Sequence, residues 1–345
     1  MVRKKFHLAF AVLFASISVA LAAPSYAETT LACPAPSKAP RDMGILTVAS
    51  LSALMPNIEW GIEQGCFKKF GLTIKTVQVA SNQVGITGLI GNSYDLTTAT
   101  PTNLVLAMAN GGFAGMIIAP RHGYSAQELA RAKVEPLYPS SLLLQTVLLV
   151  KKDSPIKTWK DFEARKIAVR AIKSEQQSGI LLAMRASGAS TSKTQFLAMT
   201  DSQMAVALDR GDVDAVVPSD PYATQIILSG ARVIGYPTAY YTEPGAAVVY
   251  ASSKEIANQK RAAMKAFQNA VLQINGLLNK PENEASYRKK IAEVTGVKPE
   301  AAAKDRLPTM VEKNVTFTEI AYIPNKLKSL GFITARVNLA PVIFH

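Results

Sequence analysis

The sequence contains few of the residues that most catalytic and metal centres use. Its 345 residues include two cysteines and three histidines. His7 belongs to the N-terminal segment and His345 is the last residue, so His122 is the one histidine in the body of the chain. Two cysteines without a nearby histidine do not make an ordinary structural zinc site. We therefore predict neither a metal nor a cofactor.

The motifs of several large enzyme classes are also missing. The chain has no H-E-x-x-H, no P-loop, no G-x-G-x-x-G and no G-x-S-x-G. A Ser-His-Asp triad would have to use His122, and no nucleophile motif accompanies it. The composition, with 48% apolar and 18% charged residues, is that of a globular protein. The sequence favours binding over catalysis, with His122 as a structural residue or a ligand contact.

Long hydrophobic runs are absent except near the N-terminus. Leu8–Ala23 is apolar, which is short for a membrane span. Basic residues 3–5 precede this run, and small residues up to Ala27 follow it. This order predicts a secretory signal peptide over residues 1–27, with cleavage after Ala22 or Ala23 as alternatives. We expect an exported protein.

The two cysteines have two interpretations. An even pair in an exported chain favours a disulfide between Cys33 and Cys66. Leu31-Ala32 before Cys33 leaves a lipoprotein acceptor as the alternative, which Thr30 disfavours because such signals usually carry an apolar residue there.

Positive charge exceeds negative charge, with 38 Lys and Arg against 25 Asp and Glu. The basic residues are scattered, and the longest run is Arg288–Lys290 on a predicted helix. Together with an export signal this argues against a nucleic-acid partner. Attraction of small anions is a better use of the charge.

Strands and helices are predicted to alternate along the chain in two sets. Apolar, β-branched segments separated by helical ones predict an α/β fold with two doubly wound lobes and parallel sheets. Residues 142–151 and 246–251 are apolar strands that would cross between the sets. We predict lobe I over residues 44–141 plus 246–345, lobe II over residues 142–245, and a two-strand hinge between them.

Four segments resemble a family signature when they are taken in order. They are Trp60-Gly-Ile-Glu-Gln-Gly-Cys-Phe-Lys-Lys-Phe-Gly-Leu-Thr-Ile74, Gly91-Asn-Ser-Tyr-Asp-Leu96, Arg210-Gly-Asp-Val-Asp-Ala-Val-Val217 and Asp220-Pro-Tyr222. These segments are similar to those of periplasmic solute-binding proteins of the sulfonate, nitrate, taurine and thiamine-precursor type. One departure is Ser219, where that family often carries Trp.

The resemblance implies a type II periplasmic binding fold and a receptor of an ABC importer. Such a receptor closes two lobes on a small organic anion, is monomeric and docks on a membrane permease. Two alternatives stay open. One is a pyrimidine-precursor binding protein or synthase, and the synthase is disfavoured because it works inside the cell and needs histidines. The other is the ligand-sensing subunit of a signalling system.

Ligands of open α/β sheets lie beyond the carboxyl ends of the strands. The residues predicted to bind ligand from that position are Ser50, Ser52, Thr98, Thr100, Thr102, Asn103, Arg121, Arg170, Ser174, Gln176, Asp220, Tyr222 and Glu243. A helix cap is the alternative role for each of the hydroxyl residues and for Asp220. A surface charge or an interdomain ion pair is the alternative for each of the two arginines. Arg170 is favoured and Arg121 comes second, because guanidinium groups match carboxylate and sulfonate geometry. A long loop from His122 to Pro139 is expected beside the cleft.

Overall fold

Alternating strands and helices begin at Gly44 in the structure, a computed structural model that describes residues 32–34, 36–134 and 143–345. The predicted signal peptide and residues 135–139 of the predicted loop lie outside the described residues. Within the described ranges, no helix combines the length and the apolar character that crossing a bilayer requires.

The first sheet has five strands. In spatial order they are β2 (Leu72–Gln78), β1 (Gly44–Ser50), β3 (Leu96–Ala99), β10 (Gly245–Ser253) and β4 (Gly115–Tyr124). Strand β1 runs parallel to both of its neighbours, whereas β10 is antiparallel to β3 and β4. The first sheet is therefore mixed.

The second sheet repeats this arrangement. Its spatial order is β7 (Gln195–Ala198), β6 (Lys166–Val169), β8 (Ala215–Val216), β5 (Leu148–Val150) and β9 (Arg232–Gly235). Strand β6 is parallel to β7 and β8, and β5 is antiparallel to β8 and β9. A helical crossover between two strands of the same sheet makes those strands parallel. The chain enters β5 and β10 from the other sheet, so this rule does not set their direction. The prediction of wholly parallel sheets was wrong for these two strands.

Helices cover both faces of the first sheet. They are α1 (Pro56–Glu63), α2 (Asn82–Ile90), α3 (Pro101–Gly111), α9 (Lys254–Gln259), α10 (Arg261–Leu278), α11 (Glu284–Thr295), α12 (Pro299–Lys304), α13 (Phe317–Ile320) and α14 (Ile323–Ser329). In β4, Ile118 joins one apolar cluster and Ile117 joins another. Successive side chains of a strand point to opposite faces, so both faces of this sheet are buried, as a doubly wound sheet requires.

The second sheet is covered in the same way by α4 (Ala126–Val134), α5 (Glu175–Ala186), α6 (Asp201–Arg210), α7 (Tyr222–Leu228) and α8 (Pro237–Tyr241). Leu129 of α4 packs in one cluster with Leu149 of β5 and Val233 of β9. We propose two lobes, one around each sheet, and this packing favours a boundary before α4 instead of at residue 141.

The residues that carry the family resemblance have structural roles. Asp95 Oδ2 accepts a hydrogen bond from the Thr47 amide in β1 at 2.8 Å, and Asp214 Oδ2 accepts one from the Lys166 amide in β6 at 2.8 Å. Gly61 lets α1 approach α10, because a Cβ at residue 61 would lie 2.4 Å from Ile274 Cδ1. These residues therefore define the fold and not a ligand site.

A disulfide joins Cys33 to Cys66 with an Sγ–Sγ distance of 2.04 Å. Cys66 follows α1 by a short turn, and the Cys33 amide donates to the Gln64 carbonyl at 3.3 Å. The segment before the first strand is thereby attached to the end of α1.

Strand β4 is longer than the sequence indicates. It pairs with β10 as far as Tyr124 opposite Gly245, whereas a loop was predicted from His122 onward. Arg121 and His122 therefore lie within a strand and not after it, and the predicted loop at His122 was wrong up to Tyr124. The continued pairing with β10 is what keeps these residues extended.

Candidate functional site

A cavity of about 30 Å³ lies between the two sheets. It is lined by Leu54, Thr100, Pro101, Thr102, His122, Tyr124, Gln145, Thr146, Arg170, Glu175, Ser219, Thr238, Thr242, Ala246, Ala247, Val248 and Tyr322. Thr100 follows β3 and Arg170 follows β6, so the cavity lies at the carboxyl ends of strands, as the fold predicts. A volume of this size holds roughly two water molecules.

Three of the predicted ligand-binding residues line this cavity, namely Thr100, Thr102 and Arg170. The other ten do not line it: Ser50, Ser52, Thr98, Asn103, Arg121, Ser174, Gln176, Asp220, Tyr222 and Glu243. Ligand contact by any of the thirteen stays a prediction.

Arg170 is the charged residue that the second sheet places at the cavity, with 9% of its surface exposed. Its Nη2 donates to Glu175 Oε1 at 3.4 Å, and its Nη1 lies 3.8 Å from Asp201 Oδ2. Good charged hydrogen bonds between nitrogen and oxygen measure about 2.7–2.9 Å. Both carboxylates therefore offset the guanidinium charge without holding it tightly.

Gln176 fixes the backbone beside Arg170. Its Oε1 accepts from the Arg170 amide at 2.7 Å, and its Nε2 donates to the Val217 carbonyl at 3.0 Å. Ser174 caps α5 by accepting from the Gln177 amide at 3.4 Å. These two predicted ligand residues orient Arg170 and α5 instead of lining the cavity.

Burial raises the pKa of Asp201, and the Arg170 guanidinium opposes that rise. Asp201 is the first residue of α6, and its Oδ1 accepts from the Ser219 amide at 3.2 Å. Thr200 is the N-cap of this helix.

Two hydroxyl groups connect the halves of the molecule across the cavity. The single O–H of Thr100 is shared between Asn103 Oδ1 at 2.6 Å and Glu175 Oε2 at 3.2 Å. Thr102 Oγ1 donates to Tyr241 Oη at 3.2 Å. Thr100 also caps α3, because its Oγ1 accepts from the Asn103 amide at 3.2 Å. Thr102 was predicted to be that cap. Pro101 at the first helical position starts the helix earlier.

His122 and Arg121 form a buried pair in β4. His122 lines the cavity and Arg121 lies behind it, with exposed fractions of 3% and 2%. Arg121 Nη1 lies 2.5 Å from His122 Nδ1, and Arg121 Nε donates to the Leu54 carbonyl at 3.0 Å and to Asn57 Oδ1 at 3.2 Å. The prediction had placed Arg121 after the strand, facing the cleft. The longer strand β4 points it into the protein instead.

The remaining predicted residues make contacts elsewhere. The side chains of Ser50, the last residue of β1, and Thr98 in β3 share a hydrogen bond of 3.1 Å. Ser52 shares one of 2.9 Å with Tyr222, which also donates to the Thr295 carbonyl.

Two acidic residues of the predicted set are also engaged away from the cavity. Glu243 pairs with Lys326 at 2.6 Å. Asp220 Oδ1 accepts from the Thr224 amide at 3.0 Å, and its Oδ2 accepts from the Arg306 amide at 3.0 Å. Asp220 therefore caps a helix and ties it to the C-terminal segment. Burial raises the pKa of Asp220 to about 6.

Sequence reasoning missed most of the cavity wall. His122 was considered as a structural residue or a ligand contact, and the missed polar residues are Tyr124, Gln145, Thr146, Glu175, Ser219, Thr238, Thr242 and Tyr322. Glu175 was within reach, because it follows the predicted cap Ser174 directly. Ser219 stands where the resembling family often has Trp, and it shares a hydrogen bond of 3.0 Å with Thr146. Tyr322 comes from the C-terminal helices and carries no sequence signal.

Chemically, the wall combines one guanidinium, one carboxylate, one imidazole and a ring of hydroxyl groups. In the part of the chain that the structure describes, no group of three or more His, Cys, Asp or Glu residues is arranged to hold a metal ion. The wall is suited to hydrogen bonding with a small polar ligand.

Three solved structures share this fold. The alkanesulfonate-binding protein SsuA from Xanthomonas axonopodis pv. citri bound to MOPS has a TM-score of 0.69 at 19% identity, covering 87% of this chain and 98% of its own. The periplasmic aliphatic sulphonate binding protein SsuA from Escherichia coli has a TM-score of 0.65 at 19% identity, covering 85% and 95%. The periplasmic nitrate-binding protein NrtA from Synechocystis PCC 6803 has a TM-score of 0.67 at 12% identity, covering 89% and 87%.

These likenesses confirm the predicted two-lobed α/β fold of type II periplasmic binding proteins. A comparison with curated protein sequences gives no match. A model of the NMT1-like family matches residues 56–293, which is more than half of the sequence. The chain belongs to the NMT1-like family.

Proposed function

We propose that the protein is an extracytoplasmic solute-binding receptor of an ABC importer, and that its two lobes close on a small organic anion, either a sulfonate or a carboxylate. The observation that carries this proposal is the position of Arg170. It lies at the carboxyl end of β6, on the wall of a cavity between the two sheets. Its long contacts to Glu175 and Asp201 leave it able to make a tighter, bidentate pair with an oxyanion.

The contacts across the cavity support a closing mechanism. Thr100 bonds to Glu175 and Thr102 bonds to Tyr241, and each pair joins the surroundings of one sheet to those of the other. A cavity of about 30 Å³ is too small for an organic anion, so the lobes must separate for entry. Ligand would dock on one lobe and gain contacts to the second lobe on closure. It would shift the balance toward the closed form by its differential affinity.

Glu175 sets a condition on the ligand. Its carboxylate already occupies the hydrogen-bonding directions of Arg170 and Thr100 that an anion would use. An anionic ligand therefore competes with Glu175, whose side chain must turn away. A larger anion that separates the lobes meets this condition, because it also breaks the bond between Thr100 and Glu175.

The same residue favours the second candidate, a pyrimidine-precursor binding protein. A buried carboxylate beside Gln145, Tyr124 and Tyr322 can accept hydrogen bonds from the N–H groups of a heteroaromatic ligand. An aminopyrimidine would bond to Glu175 without displacing it from Arg170. The two candidates therefore differ in what they do to Glu175.

The named relatives support the anion class, because two of them are sulfonate-binding proteins and one is a nitrate-binding protein. Import further implies a periplasmic location, cleavage of the predicted signal peptide, a monomeric receptor and a membrane permease as partner. These four points belong to the proposal. A ligand-sensing subunit would use the same cavity and the same closure, with a different partner.

A thermal-shift screen of the purified protein against sulfonates, nitrate, aromatic carboxylates and pyrimidines tests the proposal. A ligand that binds only the folded state at 100 times its Kd stabilises the protein by about 2.7 kcal/mol. For a chain of this length that corresponds to a melting-temperature rise on the order of 4 °C. A saturable rise with a sulfonate or carboxylate supports the anion proposal. A rise with pyrimidines alone replaces it with the second candidate, and no rise with any compound contradicts both.

A further inference from the structure

A buried arginine without an acidic partner lies behind the cavity wall. Arg121 is 2% exposed, and none of the ion pairs among the described residues includes it. Its Nε bonds to the Leu54 carbonyl and to Asn57 Oδ1, which are neutral acceptors. An unpaired charge inside a protein is costly. Its position needs an explanation beyond packing.

The contact between Arg121 and His122 fixes the state of the imidazole. Arg121 Nη1 lies 2.5 Å from His122 Nδ1. A guanidinium can only donate hydrogen bonds, so Nδ1 must accept. In a neutral imidazole the proton then resides on Nε2.

The other edge of the ring carries Nε2, which has no hydrogen-bond partner among the described residues. His122 lines the cavity, whereas Arg121 does not. No described residue hydrogen bonds to His122 Nε2, and this atom is not among the buried polar atoms that lack a partner. Nε2–H is therefore an open donor on the first sheet's side of the cavity, with Arg170 on the wall that the second sheet supplies.

The surroundings keep this imidazole neutral. Burial, and then the charges of Arg121, Arg170 and Arg306, hold the pKa of His122 well below its ordinary value. Two of these arginines are paired with acidic groups, Arg170 with Glu175 and Arg306 with Glu128. His122 is thus an uncharged donor at neutral pH, and it lies in the field of positive groups.

We propose that Arg121 is a positioning residue that holds His122 as an Nε2–H donor, and that this N–H binds an acceptor oxygen of the anionic ligand. The inference rests on the proposed function. It adds a specificity element, because the ligand must present an acceptor to His122 on one side and an oxyanion to Arg170 on the other. A ligand with a donor at the His122 position would leave two donors facing each other.

Nitrogen NMR of the histidine side chains tests the first half without a ligand. The chain has three histidines, and the His122 signals are identified by their loss in His122→Gln. We expect a pyridine-like shift for Nδ1 and a pyrrole-like shift for Nε2. In Arg121→Met, whose folding is checked by its melting temperature, the tautomer preference should be lost. A pyrrole-like Nδ1 in the unaltered protein would overturn the inference.

The second half of the inference, that His122 Nε2–H binds an acceptor oxygen of the ligand, is tested with methanesulfonate and benzoate as probes. His122→Gln keeps an N–H donor near the Nε2 position, whereas His122→Asn does not reach it. We expect His122→Asn to weaken binding of the active probe by about tenfold or more, as loss of a hydrogen bond to a charged group does. His122→Gln should retain affinity within about threefold, a change below the worth of one such bond. The His122 Nε2 signal should move when the probe saturates the unaltered protein.

Two failures are distinguishable. A probe that raises the melting temperature while the Nε2 signal and the His122→Asn affinity stay unchanged leaves the receptor proposal intact and removes His122 from the site. Absence of any response to either probe, in melting temperature and in the Nε2 signal, counts against both the anion proposal and the role of His122 as its donor.

Discussion

The two sheets share one strand order but give different chemistry to the cavity between them. In each sheet a parallel trio lies beside an antiparallel strand that arrives from the other sheet. In each sheet, an aspartate just before a central strand accepts a hydrogen bond from a backbone amide of the neighbouring strand. This aspartate is Asp95 in the first sheet and Asp214 in the second. The framework is thus repeated residue for residue at these points.

The cavity walls are not repeated. The second sheet contributes a charged group, Arg170, whose charge Glu175 and Asp201 offset. The first contributes hydroxyl groups and the neutral His122, with the charge of Arg121 one layer behind. The residues that repeat between the two sheets and the residues that line the cavity are therefore separate sets. A family signature therefore identifies the framework and leaves the ligand open.

The largest expected effect concerns the disulfide. Among the described residues, only the half of the molecule around the first sheet has such a link. The Cys33–Cys66 disulfide closes a loop with a sequence separation of 33. Cys33→Ser should lower the free energy of unfolding by about 3.5–4 kcal/mol, the chain-entropy value for such a loop. Denaturant unfolding measures this, with reduced unaltered protein as the control. An unchanged midpoint would show that the link does not stabilise this half.

The next effect concerns Asp220, where the two halves meet. Burial raises its pKa from an unfolded value near 3.9 to about 6. The folded state then holds the proton more tightly, so this group stabilises the fold below about pH 4, and that contribution is lost as the pH rises to about 6. The loss amounts to about 3 kcal/mol for a shift of about two units.

Unfolding measured from pH 4 to 6 checks this, with Asp220→Asn as the comparison. The variant should lack this part of the slope. Burial and then the Asp220 charge raise the pKa of Asp305 to about 8, so Asp305 extends the fall to higher pH, and less far in the variant, which lacks the Asp220 charge. Equal slopes for both proteins between pH 4 and 6 would contradict the assignment.

A third prediction tests the charged wall of the second sheet. Arg170→Ala should weaken binding of the active anion by about 1.5–3 kcal/mol, the worth of a hydrogen bond to a charged group. Calorimetry measures the affinity. Arg165→Ala is the matched control, because Arg165 pairs with Asp214 at 3.5 Å and does not line the cavity. Equal affinities for the two variants would remove Arg170 from the site.

In the same calorimetric titration, Glu175→Gln should change the affinity for the anion in the opposite direction. The amide no longer competes as an anion for Arg170 and Thr100, so the anion should bind more tightly than to the unaltered protein. Weaker binding of the anion by this variant would indicate that Glu175 contacts the ligand as an acceptor, as the pyrimidine candidate requires.

The smallest expected effect concerns the two aspartates that occupy equivalent positions in the two sheets. Asp95→Ala should cost about 1–3 kcal/mol of unfolding free energy, because it leaves the Thr47 amide without its partner and also loses the Lys260 pair at 2.6 Å. Asp214→Ala should cost less, about 1 kcal/mol, since 34% of its side chain is exposed against 14% for Asp95. A larger cost for Asp214 would contradict the ranking by burial.

The fold was predictable from local signals, and the site was so only in part. Alternating apolar segments and the helix caps gave the order of elements, and Arg170 was found because it ends a predicted strand. The antiparallel direction of β10 was not predictable, because it depends on the sheet from which the chain enters this strand. The extension of β4 to Tyr124 is set by pairing with that same strand. His122 was consequently assigned to a loop, and Arg121 was assigned to the cleft.

The rest of the cavity wall depends on tertiary packing. Tyr322 reaches the cavity from a segment more than 70 residues beyond the last strand of the second sheet. Thr238 and Thr242 begin and follow a short helix whose place is set by α5, where Gly179 approaches the Pro237 carbonyl so closely that a Cβ would lie 2.1 Å away. No local pattern encodes such contacts.

A crystal structure of the protein with the anion that most raises its melting temperature tests the central claim most directly. We expect the anion between the two sheets, paired with Arg170 on one side and bonded to His122 Nε2 on the other, with Glu175 turned away from Arg170. An anion bound outside this cavity, or one inside it that contacts neither Arg170 nor His122, would contradict the account.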